Sequence, residues 1–562
     1  MALATMYAKC ESFLLPKLHG FIIDHKARPG STEEAHWVAE QLSSLGLQST
    51  IIPLTWPEGF DFKHKSRFES VARVLRYQAL GTACRDKGIK SLFLGHHADD
   101  QAETIMMRLA TDRLRSGLLG MRPIEWMPEC HGIHGVSHSG SPASERDSMS
   151  SLFEHGGIQV LRPLLAFEKS RLIATCETHD TRWAEDKTNQ DRTLTARNAI
   201  RHIFSNHKLP VNLSKDSMLA IAQRTRSRVD THKAAADKLF DSCLLKLDIQ
   251  TASLVVRLPP VKALYKNPTH VPSSSEKLQA RNTAHYLLRR VVELVSPQER
   301  PMQESIANAV LAIYPTLARG GLQEGVSQQR VINSNLCLWT KTTTAFDCSP
   351  EDGTVPQTNE WLISRQPPYR EAVVSINFPP KQTSGWQLFD GRFWVCVHNL
   401  TDRPIIMRML TDSELEKILQ NAPNGNLNPF DREERMFGRR QMRSILYAIK
   451  PHALRRHLPA LFLAPANAQQ EPTLLALPTL QSSPDTRHAD QSRWDCTWEV
   501  RYKKVDPGAR TLSDIVHKPV YHSVEGSPSV QKQETTRAYF DSLPGMDTPR
   551  VPKRKKVKSW KV

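Results

Sequence analysis

The sequence predicts an α/β domain with a doubly wound parallel sheet, followed by a helical segment and an α+β accessory region. Strand and helix patterns alternate through the first 210 residues, helical periodicity dominates from 212 to about 315, and mixed patterns follow. A length of 562 residues is enough for roughly three to four domains.

The N-terminal region alternates between the two element types. Three apolar runs predict buried strands, at residues 18–24, 47–54 and 89–94. Three periodic segments predict helices, at residues 31–45, 67–87 and 99–109. Ser31 followed by Glu34 predicts a capping box at the first of these helices. Strands alternating with helices form parallel sheets, which bind ligands at the carboxyl ends of their strands.

Composition and periodicity divide the chain into four regions. They are an α/β domain over 1–210, a helical domain over 211–315, an α+β domain over 316–506 and a mostly disordered basic tail over 507–562. Residues 130–157 are rich in Ser, Gly and His, which predicts a flexible insertion. Asp390-Gly391 lies between two strand patterns and predicts a type I′ hairpin.

Charge and cysteine usage restrict the partners. The formal net charge of +17 favours a polyanionic partner such as RNA, DNA or an acidic membrane surface. No apolar run approaches the roughly 18 residues of a membrane span, so we expect no membrane partner. The nine cysteines form no C-x-x-C pair, which indicates a reducing compartment and disfavours zinc-ribbon and iron–sulfur sites.

The segment with the clearest chemistry is Gly-His-His-Ala-Asp-Asp-Gln-Ala-Glu-Thr at residues 95–104. It follows a predicted strand and opens a helix, so its polar groups lie where a helix N-terminus favours anions. Asp100 and Glu103 share a helix face and can hold Mg²⁺, a substrate ammonium group or a proton in transit. In the alternative interpretation, Asp99 is only an N-cap and Glu103 a first-turn acid.

Three other segments lead to the same sheet edge. Asp24 and His25 end the first predicted strand, and Arg76 lies on the helix before the central motif. Arg197 and Arg201 are four residues apart, which places two guanidinium groups on one helix face suited to clamping phosphates. Taken singly, each segment is also compatible with a turn or a solvated helix face.

The order of these motifs resembles the tRNA(Ile)-lysidine synthase family, ATP-dependent RNA ligases of the PP-loop superfamily. The motifs are DHxxRPxSxxEA, ARxxRY, GHHxDDQxET, RPLL, WxED-x-[ST]-N and RNxIR, at residues 24–35, 72–77, 95–104, 162–165, 183–189 and 197–201. The resemblance covers roughly residues 1–203. It implies an adenine nucleotide α-hydrolase-like fold for domain 1–210 and a tRNA-binding or linker role for domain 211–315.

The resemblance also implies a reaction. The family uses ATP and Mg²⁺ to adenylylate the wobble cytidine of tRNA(Ile) at its C2 carbonyl oxygen, and free L-lysine then displaces AMP. On that basis, the catalytic residues are His96, Asp100 and Glu103, with Asp100 also a metal ligand. Arg76, Arg197 and Arg201 are the substrate-binding residues, and Asp24 and His25 border the nucleotide.

One feature of the family is missing. Its phosphate-binding loop, Ser-Gly-Gly-x-Asp-Ser, occurs nowhere in the chain, whereas residues 1–6 resemble the helix that follows this loop. We therefore expect Met1 to be an internal methionine of a longer protein. Two alternatives are an ATP-incompetent tRNA-binding relative and a different PP-loop tRNA-modifying enzyme; a thiolase is disfavoured because C-x-x-C clusters are absent.

Localisation follows from the same resemblance. It implies a mitochondrion or plastid, with mitochondrion preferred, if the source is eukaryotic, and the cytoplasm otherwise. Residues 552–558 resemble a nuclear localisation signal, although a basic arm touching RNA or a solvated end is the preferred interpretation.

Overall fold

The computed structural model describes most of the chain as two compact units. The described residues are 1–10, 17–61, 65–137, 150–184, 196–266, 271–318, 331–342, 359–367, 374–420, 429–467, 469–484 and 495–517. The first unit comprises Met1–Pro142 and Glu154–Ala235, and the second Ala143–Phe153 and Ala236–Val562. The acidic motif at 185–189, the centre of the predicted insertion at 138–149 and the basic segment at 552–558 lie outside the described residues.

The first unit alternates strands and helices. Its strands are β1 (His19–Asp24), β2 (Gln48–Pro53), β3 (Ser91–Phe93), β4 (Ile124–Glu125) and β5 (Gln159–Leu161). Its helices are α1 (Ala2–Ala8), α2 (Ser31–Ser44), α3 (Lys65–Asp86), α4 (Ala98–Ala110), α5 (Lys169–Thr178), α6 (Ala196–Asn206) and the first part of α7 (Lys215–Ser242).

Parallel pairing in this unit confirms the predicted α/β class. Strand β1 pairs with β2 from His19 opposite Gln48 onward, and β3 pairs in parallel with β5. The short strand β4 is antiparallel to β5. The apolar faces of α3, β3 and β5 form one core, whose buried members include Tyr77, Leu92 and Val160. The carboxyl end of β3 therefore opens onto the N-terminus of α4.

Two local expectations differ from the structure. The N-cap of α2 is Gly30, in the left-handed conformation at φ +78°, and Ser31 donates instead to the Asp24 carboxylate at 2.7 Å. The predicted capping box was wrong because this longer-range acceptor takes the hydroxyl. Cys130 and Val136, expected in a flexible insertion, are fully buried in the core. They fit because Gly81 presents no side chain to them.

The second unit contains most of the β-structure. Its strands are β6 (Leu244–Asp248), β7 (Ser253–Arg257), β8 (Val331–Ser334), β9 (Cys337–Thr342), β10 (Glu360–Arg365), β11 (Ser375–Phe378), β12 (Gln382–Thr383), β13 (Gln387–Phe389), β14 (Phe393–Asn399), β15 (Ile405–Met409), β16 (Pro459–Leu463), β17 (Thr473–Ala476) and β18 (Cys496–Tyr502). Its helices, after the end of α7, are α8 (Ser274–Glu293), α9 (Gln303–Ile313), α10 (Asp412–Gln420), α11 (Pro429–Ala448) and α12 (Leu512–Ile515).

These strands form three antiparallel sheets. The strand orders are β6-β7-β10-β9-β8, β11-β15-β16-β17 and β12-β14-β13. In the last sheet, β14 also pairs with β18 along its whole length. Asp390 and Gly391 have φ values of +46° and +61°, as the predicted type I′ turn requires. Strands β6 and β7 lie within residues 211–315, which were expected to form a helical domain. Within the described residues, no helix is long and apolar enough to cross a bilayer.

Candidate functional site

The site is built where β3 leads into α4. His97 caps the helix: its side chain accepts from the backbone N–H of Asp100, and the Asp100 carboxylate accepts from the His97 N–H at 3.1 Å. The sequence did not reveal this cap because histidine is an uncommon capping residue. The reciprocal pair fixes the first turn of α4, so Asp100 and Glu103 both project from a rigid helix start.

Arginines from α6 meet these two carboxylates. Arg201 donates from Nε to Glu103 Oε1 at 2.7 Å and from Nη2 to Asp100 Oδ1 at 3.4 Å. Arg197 Nε lies 3.8 Å from Glu103 Oε2. The Glu103 side chain is only 6% exposed, and burial raises its pKa against the opposing effect of Arg201. The structure thus brings together two predicted catalytic acids and two predicted substrate-binding arginines.

His96 lies in the same electrostatic environment. Burial lowers the pKa of its imidazole to about 4; Asp100 opposes this shift, while Arg162, Arg76 and Arg197 reinforce it. The ring is therefore neutral at physiological pH, and it cannot serve there as a proton donor in the imidazolium form. Its Nδ1 is buried and has no hydrogen-bond partner among the described residues.

Arg162 is a site residue to which the sequence analysis gave no role. It is 3% exposed and immediately follows β5. Its Nη1 donates to the Arg122 carbonyl at 2.9 Å and to Glu125 at 3.1 Å, whereas its buried Nε has no hydrogen-bond partner. The available signal was its place in the RPLL motif at the end of a strand.

Arg76 differs from its neighbour Arg73. Both guanidinium groups lie over the Tyr77 ring, with Cζ at 4.6 Å from its centroid for Arg73 and 5.5 Å for Arg76, but Arg73 also pairs with Glu129 at 2.8 Å. Burial lowers the pKa of Arg76, and the Arg73 and Arg197 charges lower it further. These arginines repel one another, so a bound anion would stabilise their charged forms.

Asp99 connects the N-termini of three helices, α4, α5 and α7. Its carboxylate accepts from the Lys169 backbone N–H at 2.9 Å, at the start of α5, and from the Lys215 ammonium group at the start of α7. The interpretation of Asp99 as a simple N-cap was wrong, because His97 holds that position. Asp99 instead positions the elements around the site.

The Asp24 carboxylate is already occupied by local partners. It accepts from Ser31 and Thr32, each at 2.7 Å, and from the Lys26 N–H at 3.0 Å. The His25 carbonyl accepts from Trp56 at 2.7 Å. These bonds connect the end of β1 to α2 and the segment after β2, so the geometry gives Asp24 a structural task. The predicted nucleotide contact stays a prediction.

Among the described residues, no three His, Cys, Asp or Glu side chains converge as a metal site. Asp100 already accepts from His97 and Arg201 on its two oxygens. Its predicted role as a metal ligand therefore also stays a prediction. The site places several guanidinium groups beside one buried carboxylate oxygen. The guanidinium groups suit an anionic substrate, and the carboxylate suits a cationic substrate next to it.

Comparison with known families was decisive for the first unit. The family described as the PP-loop domain matches residues 1–208. The N-terminal region is a PP-loop domain. Its family implies use of ATP, and the motifs at residues 95–104 and 197–201 belong to the matched region.

Curated relatives of the PP-loop domain agree with the resemblance seen in the motifs. The chain is 36% identical over 190 residues to a probable tRNA(Ile)-lysidine synthase of Schizosaccharomyces pombe, covering 33% of this chain and 37% of that protein. It is 30% identical over 220 residues to the tRNA(Ile)-lysidine synthase of Methylobacterium nodulans, covering 39% and 55%. The family resemblance is therefore confirmed, although the match spans only about a third to a half of these relatives.

A solved structure also matches. The U34-tRNA thiolase NcsA from Methanococcus maripaludis, with its [4Fe-4S] cluster, is 12% identical with a TM-score of 0.25. The match covers 38% of this chain and 63% of the thiolase.

Proposed function

We propose that the protein is a tRNA(Ile)-lysidine synthase, which uses ATP to join lysine to C2 of the wobble cytidine and releases AMP and pyrophosphate. The observation that carries this proposal is a convergence beside α4 of buried polar atoms that have no hydrogen-bond partner among the described residues: His96 Nδ1, Glu103 Oε2, Arg162 Nε and Arg197 Nε. Buried polar groups are normally satisfied, so such a set suits a polar ligand.

The charged side chains of the site suit two kinds of ligand group, one anionic and one cationic. Arg76, Arg162 and Arg197 provide cationic groups for phosphate or activated cytidine oxygens, as guanidinium groups commonly do. Glu103 Oε2 lies 3.8 Å from Arg197 Nε but accepts no hydrogen bond from the described residues, so it can bind the lysine ammonium group or accept its proton. Mg²⁺ bound with ATP would neutralise phosphate charge, with Asp100 or Glu103 as its oxygen ligands.

Neutral His96 contributes a hydrogen bond rather than a charge. With its pKa lowered to about 4, the imidazole offers one N–H and one lone pair at neutral pH. It can therefore orient a substrate oxygen without adding to the repulsion among the neighbouring arginines. Arg201 holds both acids in place through the bonds described above, which makes it a positioning residue.

The basic balance of the chain supports an RNA substrate. A formal charge of +17 provides a polyanion-binding surplus beyond the site itself. We extend the proposal to tRNA(Ile) as the RNA and to a mitochondrial location if the source is eukaryotic.

One observation favours a second function. Because no Ser-Gly-Gly-x-Asp-Ser loop occurs in the chain, an ATP-incompetent tRNA-binding protein would have the same sequence feature. Such a protein would bind tRNA(Ile) without releasing pyrophosphate.

Pyrophosphate release separates the two functions. We expect continued pyrophosphate release to require ATP, tRNA(Ile) and lysine together, from this chain or from a form extended by coding sequence upstream of Met1, whereas ATP and tRNA(Ile) without lysine support at most a single turnover. Glu103→Gln should reduce the continued release with lysine by at least about 100-fold, the usual scale for a proton-transfer group. Tight tRNA(Ile) binding without release in either form would support the second function and contradict the first.

A further inference from the structure

The second unit contains a buried cluster of cations far in sequence from the PP-loop motifs. Arg365 at the end of β10, Arg392 beside the β13–β14 turn and Lys503 after β18 are at most 6% exposed. His457, just before β16, is 1% exposed. These four residues come from the three antiparallel sheets, so the cluster lies where the sheets meet.

One carboxylate serves this cluster. Asp390 accepts from Arg392 Nε at 2.7 Å and from Arg365 Nε at 3.2 Å and Nη2 at 3.2 Å. Both of its oxygens are thus occupied by guanidinium groups. The turn is fixed as well, since a side chain at Gly391 would lie 1.9 Å from the Pro297 carbonyl oxygen.

The cations outnumber the anions. Lys503 donates to the Ser296 carbonyl at 2.5 Å, which provides no negative charge. Glu293 raises the pKa of Lys503 from outside the cluster, but Glu293 is itself paired with Arg289 at 2.8 Å. Burial raises the pKa of the Cys337 thiol to about 11 and also raises the pKa of Tyr502, so both are neutral. Burial lowers the pKa of Lys503 to about 8, so the ammonium group is still mostly charged at neutral pH. Among the described residues, Asp390 is therefore the only carboxylate paired within a cluster of three cations.

Donors in the cluster lack acceptors. Within the described part of the chain, Arg392 Nη1 is buried with no hydrogen-bond partner, and Arg392 is 0% exposed. Neither ring nitrogen of His457 has a hydrogen-bond partner in that same part of the chain. Burial, with the nearby Arg392 and Arg365 charges, lowers the pKa of His457 to about 3, so its ring is neutral with one N–H to donate. A buried cation and a buried donor left unsatisfied are both costly.

We propose that the second unit binds one small inorganic oxyanion, phosphate, in an enclosed site formed by Arg392, His457 and Lys503. A tetrahedral oxyanion supplies the acceptors that Arg392 Nη1 and His457 lack and offsets the excess positive charge. The ligand is a free ion rather than a phosphate of an RNA backbone, because the side chains are enclosed by the fold. The site is separate from the proposed ATP chemistry.

Equilibrium dialysis of the full chain with radiolabelled inorganic phosphate tests this site. We expect wild type to bind about one phosphate more per chain than His457→Leu, which removes the ring nitrogens of a neutral residue. Arg392→Met should lose the same phosphate. The matched control is Arg455→Met, because Arg455 is also buried but donates to the carbonyls of Ile449 and Tyr447.

Thermal unfolding provides a second readout, in phosphate against chloride at equal ionic strength. We expect the phosphate-dependent rise in Tm to be smaller in His457→Leu than in wild type and unchanged in Arg455→Met. Equal phosphate stoichiometry in wild type and His457→Leu would overturn the proposal. So would displacement of this phosphate by tRNA, since an enclosed ion would not compete with RNA. If Arg392→Met does not fold, His457→Leu and wild type alone decide.

Discussion

Arg201 donates to Glu103 Oε1 at 2.7 Å, although 98 residues separate the two in the chain, and Glu103 Oε2 accepts no hydrogen bond from any residue that the structure describes. The pair therefore holds the carboxylate in one orientation while leaving one of its oxygens for a ligand. This arrangement is the structural basis of the proposed lysine site.

Removing Arg201 tests its positioning role. We expect Arg201→Met to lower the free energy of unfolding by about 1.5–3 kcal/mol, because Glu103 stays buried without its charged donor. Pyrophosphate release should fall together with stability, and Arg201→Lys should restore more stability than activity, because lysine lacks the two-pronged guanidinium group. Arg85→Met is the control, since Arg85 is an exposed residue whose contacts, to Asp86 and to the His134 carbonyl, do not involve the site. Wild-type release by Arg201→Met would contradict the role.

The lowered pKa of His96 predicts a pH-dependent stability. The folded-state value of about 4 lies below the ordinary 6.5, so the unfolded state binds the proton more tightly. Stability is full above pH 6.5 and falls as the pH drops towards 4, by roughly 3 kcal/mol at most. Urea unfolding of wild type and His96→Asn across this range measures the effect.

His457 titrates over an overlapping range, because its pKa is lowered to about 3. The informative quantity is therefore the difference between wild type and His96→Asn at each pH. That difference should decrease as the pH falls below 6.5. A difference that does not change with pH would show that folding leaves the pKa of His96 unshifted.

Asp24 predicts a second loss of stability in acid, at a lower pH than that of His96. Burial acts to raise its pKa, but hydrogen bonds from Ser31, Thr32 and the Lys26 N–H hold the pKa below its ordinary 3.8. The charged carboxylate therefore stabilises the fold above pH 3.8, and this contribution is lost as the pH falls further. We expect Asp24→Asn to cost about 1–2 kcal/mol near neutral pH, measured by urea unfolding, and less in acid. A higher KM for ATP with unchanged stability would instead support a nucleotide contact.

Gly81 predicts a packing constraint inside the first unit. A Cβ at this position would lie 2.5 Å from Val136 Cγ1 and 2.9 Å from Cys130 Sγ. We expect Gly81→Ala to destabilise the protein by about 1–3 kcal/mol in denaturant titrations. Adding Val136→Ala should recover part of that loss. Gly385→Ala is the control, because nothing lies within 4 Å of its Cβ position. Equal effects of the two glycine substitutions would contradict the packing account.

The elements of the first unit could be predicted because apolar runs and helical periodicity are local signals. The partnership of Glu103 with Arg201 could be expected from motif spacing and the edge of a parallel sheet, but not its hydrogen-bond pattern. Arg162 donates hydrogen bonds to the Arg122 carbonyl and to Glu125, and strand pairing rather than proximity in the sequence brings these residues together.

The missed hairpin has a similar cause. Strand β6 continues the apolar pattern of α7, and β7 gains its second partner, β10, only after about a hundred residues. The composition around Cys130 and Val136 is typical of loops, so it did not predict that these residues are buried. Their burial depends on the absence of a side chain at Gly81. Long-range packing decides each of these features.

The most direct test of the central claim is nucleoside mass spectrometry of tRNA(Ile) after incubation with the protein, ATP and isotopically labelled lysine. The account predicts labelled lysidine at the wobble position with wild type, and its loss with Glu103→Gln but not with Arg85→Met. Unmodified wobble cytidine with this chain and with its upstream-extended form, under conditions where both bind the tRNA, would contradict the account.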